Sequence, residues 1–346
     1  MIEARGLVQT FHTGQGKKKR EVRAVDGVDL DVAEGEVVGF LGPNGAGKTT
    51  TLRMLTTLLR PTEGTARVAG YDVVADSVEV RRRIGYVSQT GGAFSGARAG
   101  DEVVDHGMLY GLSRQQATTR GQELFEQLQL HGLWTRMPRA MSGGQKRRLD
   151  IAMSLVHDPT LMFLDEPTTG LDPQARANLW EHIAGLRSER GATVFLTTHY
   201  LDEADALSDR IVIIDQGRIV ASDTADNLKA QVAGDLVDLE VATDDDVRVA
   251  AERLSTLIGA PGQVEVDRRH VRGRVQRAGR AVPGLLGDLG AAGVALDSIE
   301  VLRPTLDDVF LTLTGRSLRD AESGQPEASA DGPADATDHE LEGARR

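Results

Sequence analysis

The chain has 346 residues, 40% of them hydrophobic, which is enough for about two domains with their own cores. Its net charge of −12 and its pI near 5.2 argue against a general nucleic-acid-binding protein. The lack of cysteine excludes disulfides and thiolate metal sites, and no run approaches the roughly 18 apolar residues of a membrane span. The N-terminus lacks the basic-then-apolar layout of a signal peptide, so we expect a soluble, cytosolic protein.

The first 225 residues or so are predicted to form one α/β unit. A short apolar strand at 36–42 leads into a helix at 48–59. The leucines of this helix, the last of them Leu59, share one face, and Pro61 prevents the helix from continuing.

Two further apolar runs, 160–165 and 192–199, do not alternate with polar residues, which is typical of strands buried on both faces. A helical pattern lies between them and predicts a right-handed parallel crossover. A hairpin is then predicted to turn at Asp215–Gly217. Residues from about 90 to 158 carry helical patterns and no convincing strand, so we interpret them as a helical insertion into the sheet domain.

From about residue 230 the pattern predicts the order β-α-β-β-α-β, which suggests a small ferredoxin-like α+β domain closed by a helix. From Ala321 onward small and acidic residues dominate, and no apolar period remains. We therefore predict a first domain at 1–228, an accessory α+β domain at 229–318 and a disordered acidic tail at 319–346.

Residues 42–49 have the sequence GPNGAGKT and match the P-loop pattern GxxxxGK[ST] between an apolar strand and a helix. Glycines in such a loop let backbone N–H groups face phosphates; Lys48 would reach the β- and γ-phosphates, and the Thr49 hydroxyl would ligate Mg²⁺. The alternative, a chance glycine-rich turn, is disfavoured by the strand–loop–helix context. The predicted nucleotide contacts are Gly42, Pro43, Asn44, Gly45, Ala46, Gly47, Lys48, Thr49 and Thr50.

The stretch LMFLDEPTTGLD adds two acidic residues to this site. Asp165 ends a buried strand, where a carboxylate facing Mg²⁺ or its water ligands is expected. Glu166 follows and is a candidate general base for the attacking water. A pair of solvated acids at a strand end is the alternative, and the P-loop upstream makes it the weaker one.

A second glycine-containing helix start lies in MSGGQKRRLDIA at 141–152. Ser142 and the two glycines after it place free N–H groups at the positive end of a helix dipole, which is typical of an anion site. Leu149 begins a packed apolar stripe, and Pro159 ends the helix. One chain thus has two predicted phosphate-binding helix starts, the P-loop and this one.

Gln89 and His199 are weak candidates for site residues when each is taken alone.

The order of these motifs resembles that of the ATP-binding cassette (ABC) ATPases across residues 2–225. The resemblance implies a P-loop NTPase fold, with a RecA-like mixed-sheet core and a helical subdomain at about 90–158. It implies catalytic roles for Lys48, Gln89, Glu166 and His199, and Mg²⁺ ligation by Thr49, Gln89 and Asp165. It further implies a signature motif of Ser142, Gly143, Gly144 and Gln145, a D-loop Asp172, a switch His199 at the γ-phosphate and an adenine-stacking Phe11.

In this family two cassettes pack head to tail, and the signature motif of one covers the γ-phosphate held by the P-loop of the other. The resemblance therefore explains the second phosphate-binding helix start, at Ser142, and implies a homodimer with ATP and Mg²⁺ at its interface. It also implies a separate membrane permease that docks on the helical insertion. The chain would then be a peripheral protein at the cytoplasmic face of the cell membrane, with no nucleic-acid partner.

The segment PTLDDVFLTLTGR at 304–316 is similar to the closing motif of the daunorubicin-resistance type of ABC ATPase, a drug-exporter group. That similarity implies export of a drug-like or hydrophobic compound. A simpler interpretation, compatible with the first, is a helix that packs Leu306, Val309, Phe310 and Leu313 onto its own domain.

Other functions stay open at this point. An importer ATPase or a transporter of other cargo, such as lipid, shares the cassette. A non-transport ABC protein of DNA repair or translation would need a coiled-coil insertion, zinc cysteines or tandem cassettes. A nucleotide-sensing module would normally lack Lys48, Glu166 or His199. The basic run Lys17–Arg20 is interpreted as a solvated hairpin tip, with a contact to anionic lipid as the alternative.

Overall fold

A computed structural model describes residues 1–13, 20–93, 96–231, 234–259, 264–276 and 278–318. Most of the Lys17–Arg20 run and the predicted tail at 319–346 lie outside these residues. The strands are β1 (Ile2–Thr13), β2 (Arg20–Val32), β3 (Val37–Leu41), β4 (Glu63–Val68), β5 (Tyr71–Asp72), β6 (Ile84–Val87), β7 (Leu161–Asp165), β8 (Thr193–Thr198), β9 (Arg210–Asp215), β10 (Arg218–Asp223), β11 (Asp235–Val241), β12 (Val264–Asp267), β13 (His270–Val275) and β14 (Leu296–Leu302).

The helices follow the same chain order. They are α1 (Lys48–Leu55), α2 (Ser77–Arg83), α3 (Ala99–Leu109), α4 (Arg114–Gln127), α5 (Gly143–Leu155), α6 (Pro173–Arg190), α7 (Leu201–Leu207), α8 (Ala225–Gln231), α9 (Asp246–Ile258), α10 (Ala278–Ala291) and α11 (Leu306–Thr314). Within the described ranges, none of them combines the length and the apolar character needed to cross a bilayer.

The central sheet has the strand order β10-β9-β3-β8-β7-β6. All its pairs are parallel except the β9–β10 hairpin, so the predicted strands, crossover and hairpin are confirmed. Because the parallel strands are covered on both faces, their side chains are almost all buried. One face packs on α1 and the antiparallel sheet β2-β1-β4-β5, and the other packs on α5 and α6.

The P-loop helix is shorter than predicted. It ends at Leu55 instead of continuing to residue 59. The Thr56 hydroxyl donates to the Leu52 carbonyl, and Thr57 adopts a left-handed φ of 65°, which no α-helix accommodates. Leu59 still packs against the same core, although it lies outside the helix.

The helical insertion is confirmed, since α3, α4 and α5 are the regular helices of residues 96–158 and no strand is assigned among the described residues there. Its core is formed by apolar side chains of α3, α4 and α5, including Val103, Leu124, Phe125, Leu149 and Leu155. The signature helix α5 therefore joins the insertion to the central sheet.

The C-terminal unit has the predicted β-α-β-β-α-β order, with an antiparallel sheet β12-β13-β11-β14 and α9 and α10 packed on one face. Its ferredoxin-like classification stays a prediction from that order, as do the domain boundaries. The closing helix α11 packs differently from the expectation. Leu306, Val309 and Phe310 are buried against Ile211 and Ile213 of the central sheet, not against their own domain, while Leu313 is exposed.

Candidate functional site

The predicted site residues follow the carboxyl ends of four neighbouring parallel strands. Gly42 follows β3, Gln89 comes two residues after β6, Glu166 follows β7 and His199 follows β8. Carboxyl ends of parallel strands share one edge of a sheet, which is where α/β folds of this type bind ligands. The fold therefore brings together residues that are up to 157 positions apart in sequence.

The loop from Gly42 to Gly47 has two positions at which only glycine fits. A Cβ at Gly42 would lie 2.2 Å from the Ile214 carbonyl oxygen. Gly47 has a φ of 105°, and its Cβ would lie 2.6 Å from the Ala24 carbonyl oxygen. Such contacts with backbone cannot be relieved by a side-chain rotation. The loop conformation is thus determined by how closely it packs on β2 and β9.

Lys48 is the first residue of α1 and its side chain is buried. Its ammonium donates to the carbonyl oxygens of Gly42, at 2.8 Å, and Pro43, at 3.1 Å, and lies 3.3 Å from Glu166 Oε1. The loop therefore curls around its own lysine and holds it at the sheet edge. The cleft there is lined by Ala24, Asn44, Gly45, Gly47, Lys48, Thr49, Thr50, Gln89 and Glu166.

Asp165 lies beneath the cleft and places its carboxylate beside the Thr49 hydroxyl. The Thr49 hydroxyl donates to Asp165 Oδ1 at 3.0 Å, and the Thr197 hydroxyl donates to the same oxygen at 2.7 Å. Asp165 is 1% exposed, so both hydroxyls fix the carboxylate in a buried position. A hydroxyl and a carboxylate side by side match the hard oxygen ligands that Mg²⁺ prefers.

Glu166 is the residue on which the other side chains converge. Gln89 Nε2 donates to Glu166 Oε2 at 2.8 Å, the Thr169 hydroxyl donates to it at 3.2 Å, and His199 Nδ1 lies 3.4 Å from it. Glu166 also has a left-handed φ of 45°, a conformation rarely adopted by non-glycine residues. Strained backbone of this kind concentrates at functional sites.

Burial alone would raise the pKa of Glu166, but the His199 ring and the Lys48 ammonium outweigh it and lower that pKa to about 2. The carboxylate is therefore ionised at neutral pH and is surrounded by donors. A buried carboxylate with movable donors around it can act as a proton acceptor once those donors bind elsewhere.

The signature residues occupy a different surface. Ser142 caps α5: its Oγ accepts from the Gln145 N–H at 3.3 Å, and Gln145 Oε1 accepts from the Ser142 N–H at 3.0 Å. Ser142 and Gly143 are exposed, whereas Gly144 and Gln145 are half-buried. None of the four is among the described residues that line the P-loop cleft.

Asp172 and Phe11 also lie apart from the cleft lining. Asp172 caps α6 by accepting from the Ala175 N–H at 3.0 Å, and it lines a separate groove with Gln129 and Arg148. Phe11 pairs with Val22 across the β1–β2 hairpin and is 38% exposed. Their assigned roles stay predictions.

The sequence analysis missed Thr169 and Thr197, whose hydroxyls bond to Glu166 and Asp165, and three further residues of the site region. Ala24 of β2 lines the cleft, and no motif distinguishes it. Arg147 and Asp150 of α5 are buried charged residues that bond to the loops carrying Gln89 and Glu166. Neither residue belongs to the apolar stripe that begins at Leu149, so no sequence pattern distinguished them from solvated charges.

Comparison with known proteins shows the family of this chain. The profile of the ABC transporter family matches residues 25–169. The chain is 43% identical to the daunorubicin resistance ATP-binding protein DrrA3 of Streptomyces coeruleorubidus, over 90% of this chain and 98% of that protein. It is 34% identical to the linearmycin resistance ATP-binding protein LnrL of Bacillus subtilis, over 92% of this chain and 100% of that protein.

A solved structure extends the comparison to three dimensions. A dimeric ATP-binding cassette in a post-hydrolysis state, bound to ADP and phosphate, superposes with a TM-score of 0.59 at 27% identity; the match covers 65% of this chain and 98% of the other. The sequence motifs, the sheet edge and these relatives agree with one another. The chain belongs to the ABC transporter family as an ATP-binding subunit, and it is an ATPase.

Proposed function

We propose that this chain powers the export of a hydrophobic, antibiotic-like compound through a separate membrane permease. The observation that carries the proposal is the similarity to resistance ATP-binding proteins over 90% or more of the chain. The similarity therefore includes the C-terminal unit and α11 and is not limited to the cassette.

ATP would bind with its phosphates in the loop from Gly42 to Thr50. Backbone N–H groups of the loop and the Lys48 ammonium supply the positive charge. Mg²⁺ would be held by Thr49, Asp165 and Gln89, whose hydroxyl, carboxylate and amide oxygens fit its preference for hard oxygen ligands. Bound there, the ion would neutralise charge on the phosphates.

Glu166 would act as the general base. Lys48 lies 3.3 Å and Gln89 2.8 Å from its carboxylate, and both are residues that we assign to the nucleotide. When phosphates recruit the Lys48 ammonium, Glu166 loses a neighbouring positive charge, and its pKa rises from about 2 toward the range of a useful base. His199, 3.4 Å from the same carboxylate, would contact the γ-phosphate.

The complete ATP site would form between two copies of the chain. Ser142, Gly143, Gly144 and Gln145 would cover the γ-phosphate held by the P-loop of the second copy, and Asp172 would lie at the same interface. The exposure of Ser142 and Gly143, away from their own cleft, supports this arrangement. Phe11 would stack on the adenine.

The permease would dock on the helical insertion. At the end of α3, Leu109 is 83% exposed, and Met108 and Tyr110 beside it are more than a third exposed. Three consecutive exposed apolar side chains at a helix end are typical of a surface that contacts another protein. The chain would thereby be held at the cytoplasmic face of the membrane.

Transport direction tests the proposal. Inverted membrane vesicles would be prepared from cells that express this chain together with the membrane protein encoded by its neighbouring gene. We expect ATP-dependent accumulation of a fluorescent anthracycline inside them, because export in the cell becomes uptake in an inverted vesicle. The matched control is Glu166→Gln, which should retain ATP binding and lose about 100-fold or more of the turnover, and with it the accumulation.

Two outcomes would contradict the proposal. Accumulation in right-side-out vesicles instead would identify an importer. Equal accumulation with the Glu166→Gln chain would mean that hydrolysis at this site does not drive transport.

A further inference from the structure

The C-terminal segment of the described chain, residues 306–318, packs on the two strands that hold the P-loop. Phe310 of α11 is fully buried in a cluster with Ile213 of β9. The same cluster contains Leu41 of β3, the residue directly before Gly42. A segment that follows the C-terminal sheet in the chain therefore contributes to the core behind the nucleotide cleft.

The end of this C-terminal segment turns back onto the same cluster. Gly315 follows α11 with a left-handed φ of 76°, which lets the chain reverse its direction. The Leu318 N–H then donates to Asp307 Oδ1 at 3.3 Å, and the Leu318 side chain is buried in the cluster. Both ends of the turn are thus fixed, and Arg316 lies between them.

Arg316 binds the end of β9. Its Nη2 donates to both carboxylate oxygens of Asp215, at 2.9 Å and 3.1 Å. Asp215 is the last residue of β9, and its side chain is 11% exposed. A carboxylate with so little access to water is costly to leave without a cationic partner. The contact therefore fixes the position at which β9 ends.

The turn that follows Asp215 contacts the P-loop. Gln216 and Gly217 connect β9 to β10 and have positive φ values of 48° and 80°, as in tight two-residue hairpins. The Gly217 N–H donates to the Ala46 carbonyl of the P-loop at 2.9 Å, and the Gly217 carbonyl accepts from the Asp26 N–H of β2 at 2.8 Å. Because such a turn has little conformational freedom, a displacement of Asp215 also displaces the backbone that bonds to Ala46.

We propose that Arg316 is a positioning residue of the nucleotide site, which holds the P-loop through Asp215 and the β9–β10 turn. The inference rests on the proposed function, in which the P-loop binds the phosphates of ATP. Arg316 is not among the described residues that line the cleft, so it acts on the position of the loop and not by contact with ATP. The C-terminal segment thereby sets the affinity of its own chain for ATP.

A second ion pair of the same segment provides a matched control. Arg274 of β13 pairs with Asp308 of α11 and ties that helix to the C-terminal sheet. The side chains of Arg274 and Arg316 are similarly exposed, at 30% and 37%. Loss of either arginine removes one ion pair from the C-terminal segment, but of the two only Arg316 bonds to β9.

The experiment measures nucleotide titration and steady-state hydrolysis of the full chain. Arg316→Ala should raise the Kd and the KM for ATP by about three- to tenfold and leave kcat within about twofold, because the groups assigned to hydrolysis stay in place. Arg316→Lys keeps a cation beside Asp215 and should recover most of the affinity. Arg274→Ala should bind ATP like the wild type.

Two results would overturn the inference. One is an Arg316→Ala chain that binds ATP as tightly as the wild type. The other is an equal loss of affinity in Arg316→Ala and Arg274→Ala, since ATP binding would then only follow the stability of the C-terminal segment. Urea denaturation without nucleotide measures that stability for both variants.

Asp215→Ala removes the same contact from the other side and does not depend on the folding of Arg316→Ala. It should weaken ATP binding by the same factor, about three- to tenfold, and the double variant should bind no more weakly than either single variant. Wild-type affinity in Asp215→Ala would contradict the positioning role. So would a double variant in which the two losses multiply, because the two residues would then act by separate routes.

Lys48→Met checks the proposed nucleotide site separately in the same titrations. A Lys48→Met chain with wild-type affinity for ATP would contradict the proposed P-loop site itself. Weak binding in Lys48→Met together with wild-type binding in Arg316→Ala would remove only the role of Arg316.

Discussion

Two helix starts in this molecule have the features of an anion site. They differ in whether contacts within the same chain require the residues found there. At the start of α1, Gly42 has no room for a Cβ, and Lys48 is bonded internally. At the start of α5, a Cβ on Gly143 would meet only Leu171, at an ordinary 3.4 Å, and Ser142 is exposed. Folding of the chain explains the first glycine. The contacts at Gly143 do not require the second glycine, which agrees with the proposed contact to the nucleotide of a second copy.

The largest effects are expected from one substitution in each helix start. Lys48→Met should weaken ATP binding to the isolated chain by about 10- to 100-fold, because a charge-assisted contact with phosphate is lost. Ser142→Arg should leave that binding within about threefold, because Ser142 does not line the cleft, yet abolish ATP-dependent dimerisation. Nucleotide titration and size-exclusion chromatography measure the two effects.

Similar behaviour of Lys48→Met and Ser142→Arg would contradict the different roles of the two helix starts. Weak ATP binding in monomeric Ser142→Arg would mean that both helix starts serve one nucleotide in one chain. A dimer peak unchanged by the arginine would instead place the signature residues away from the interface. The Glu166→Gln background keeps ATP intact during both measurements.

A pair of glycine substitutions compares the two helix starts by their effect on the free energy of unfolding. Gly42→Ala should lower the free energy of unfolding by about 1–3 kcal/mol, since its Cβ would lie 2.2 Å from the Ile214 carbonyl oxygen. Gly143→Ala should change it by less than about 0.5 kcal/mol, because the new methyl group fits. Urea denaturation without nucleotide measures both. Equal losses would show that Gly143 is also required by the fold.

Sequence patterns predicted the strands of this site and the residues that directly follow them in the chain. The apolar runs that end at Gly42 and Asp165 predicted the position of the sheet edge, because strands buried on both faces are apolar along their whole length. Arg147 was missed, since its role depends on three carbonyl oxygens supplied by other segments. The packing partner of α11 was missed for a related reason: periodicity shows which face is apolar but not which element covers it.

The last contrast between the two helix starts is a pH dependence that is confined to the P-loop side. Glu166 has a folded-state pKa of about 2 against an ordinary value near 4.5, so the unfolded chain takes up this proton first as the pH falls. The stability that the carboxylate contributes is fully present above about pH 4.5 and is lost between about pH 4.5 and 2.

The glutamine of Glu166→Gln does not titrate. The difference in unfolding free energy between wild type and this variant should therefore be constant above about pH 4.5. Below that pH the wild type should lose stability relative to the variant. Urea titrations at several pH values measure that difference. Ser142→Ala provides the matched control on the other helix start: it removes a hydroxyl that does not titrate, and its difference from wild type should not change over the same range. A pH-independent difference for Glu166→Gln would mean that Lys48 and His199 do not hold this carboxylate in its charged form, and the electrostatic contrast between the two helix starts would then be lost.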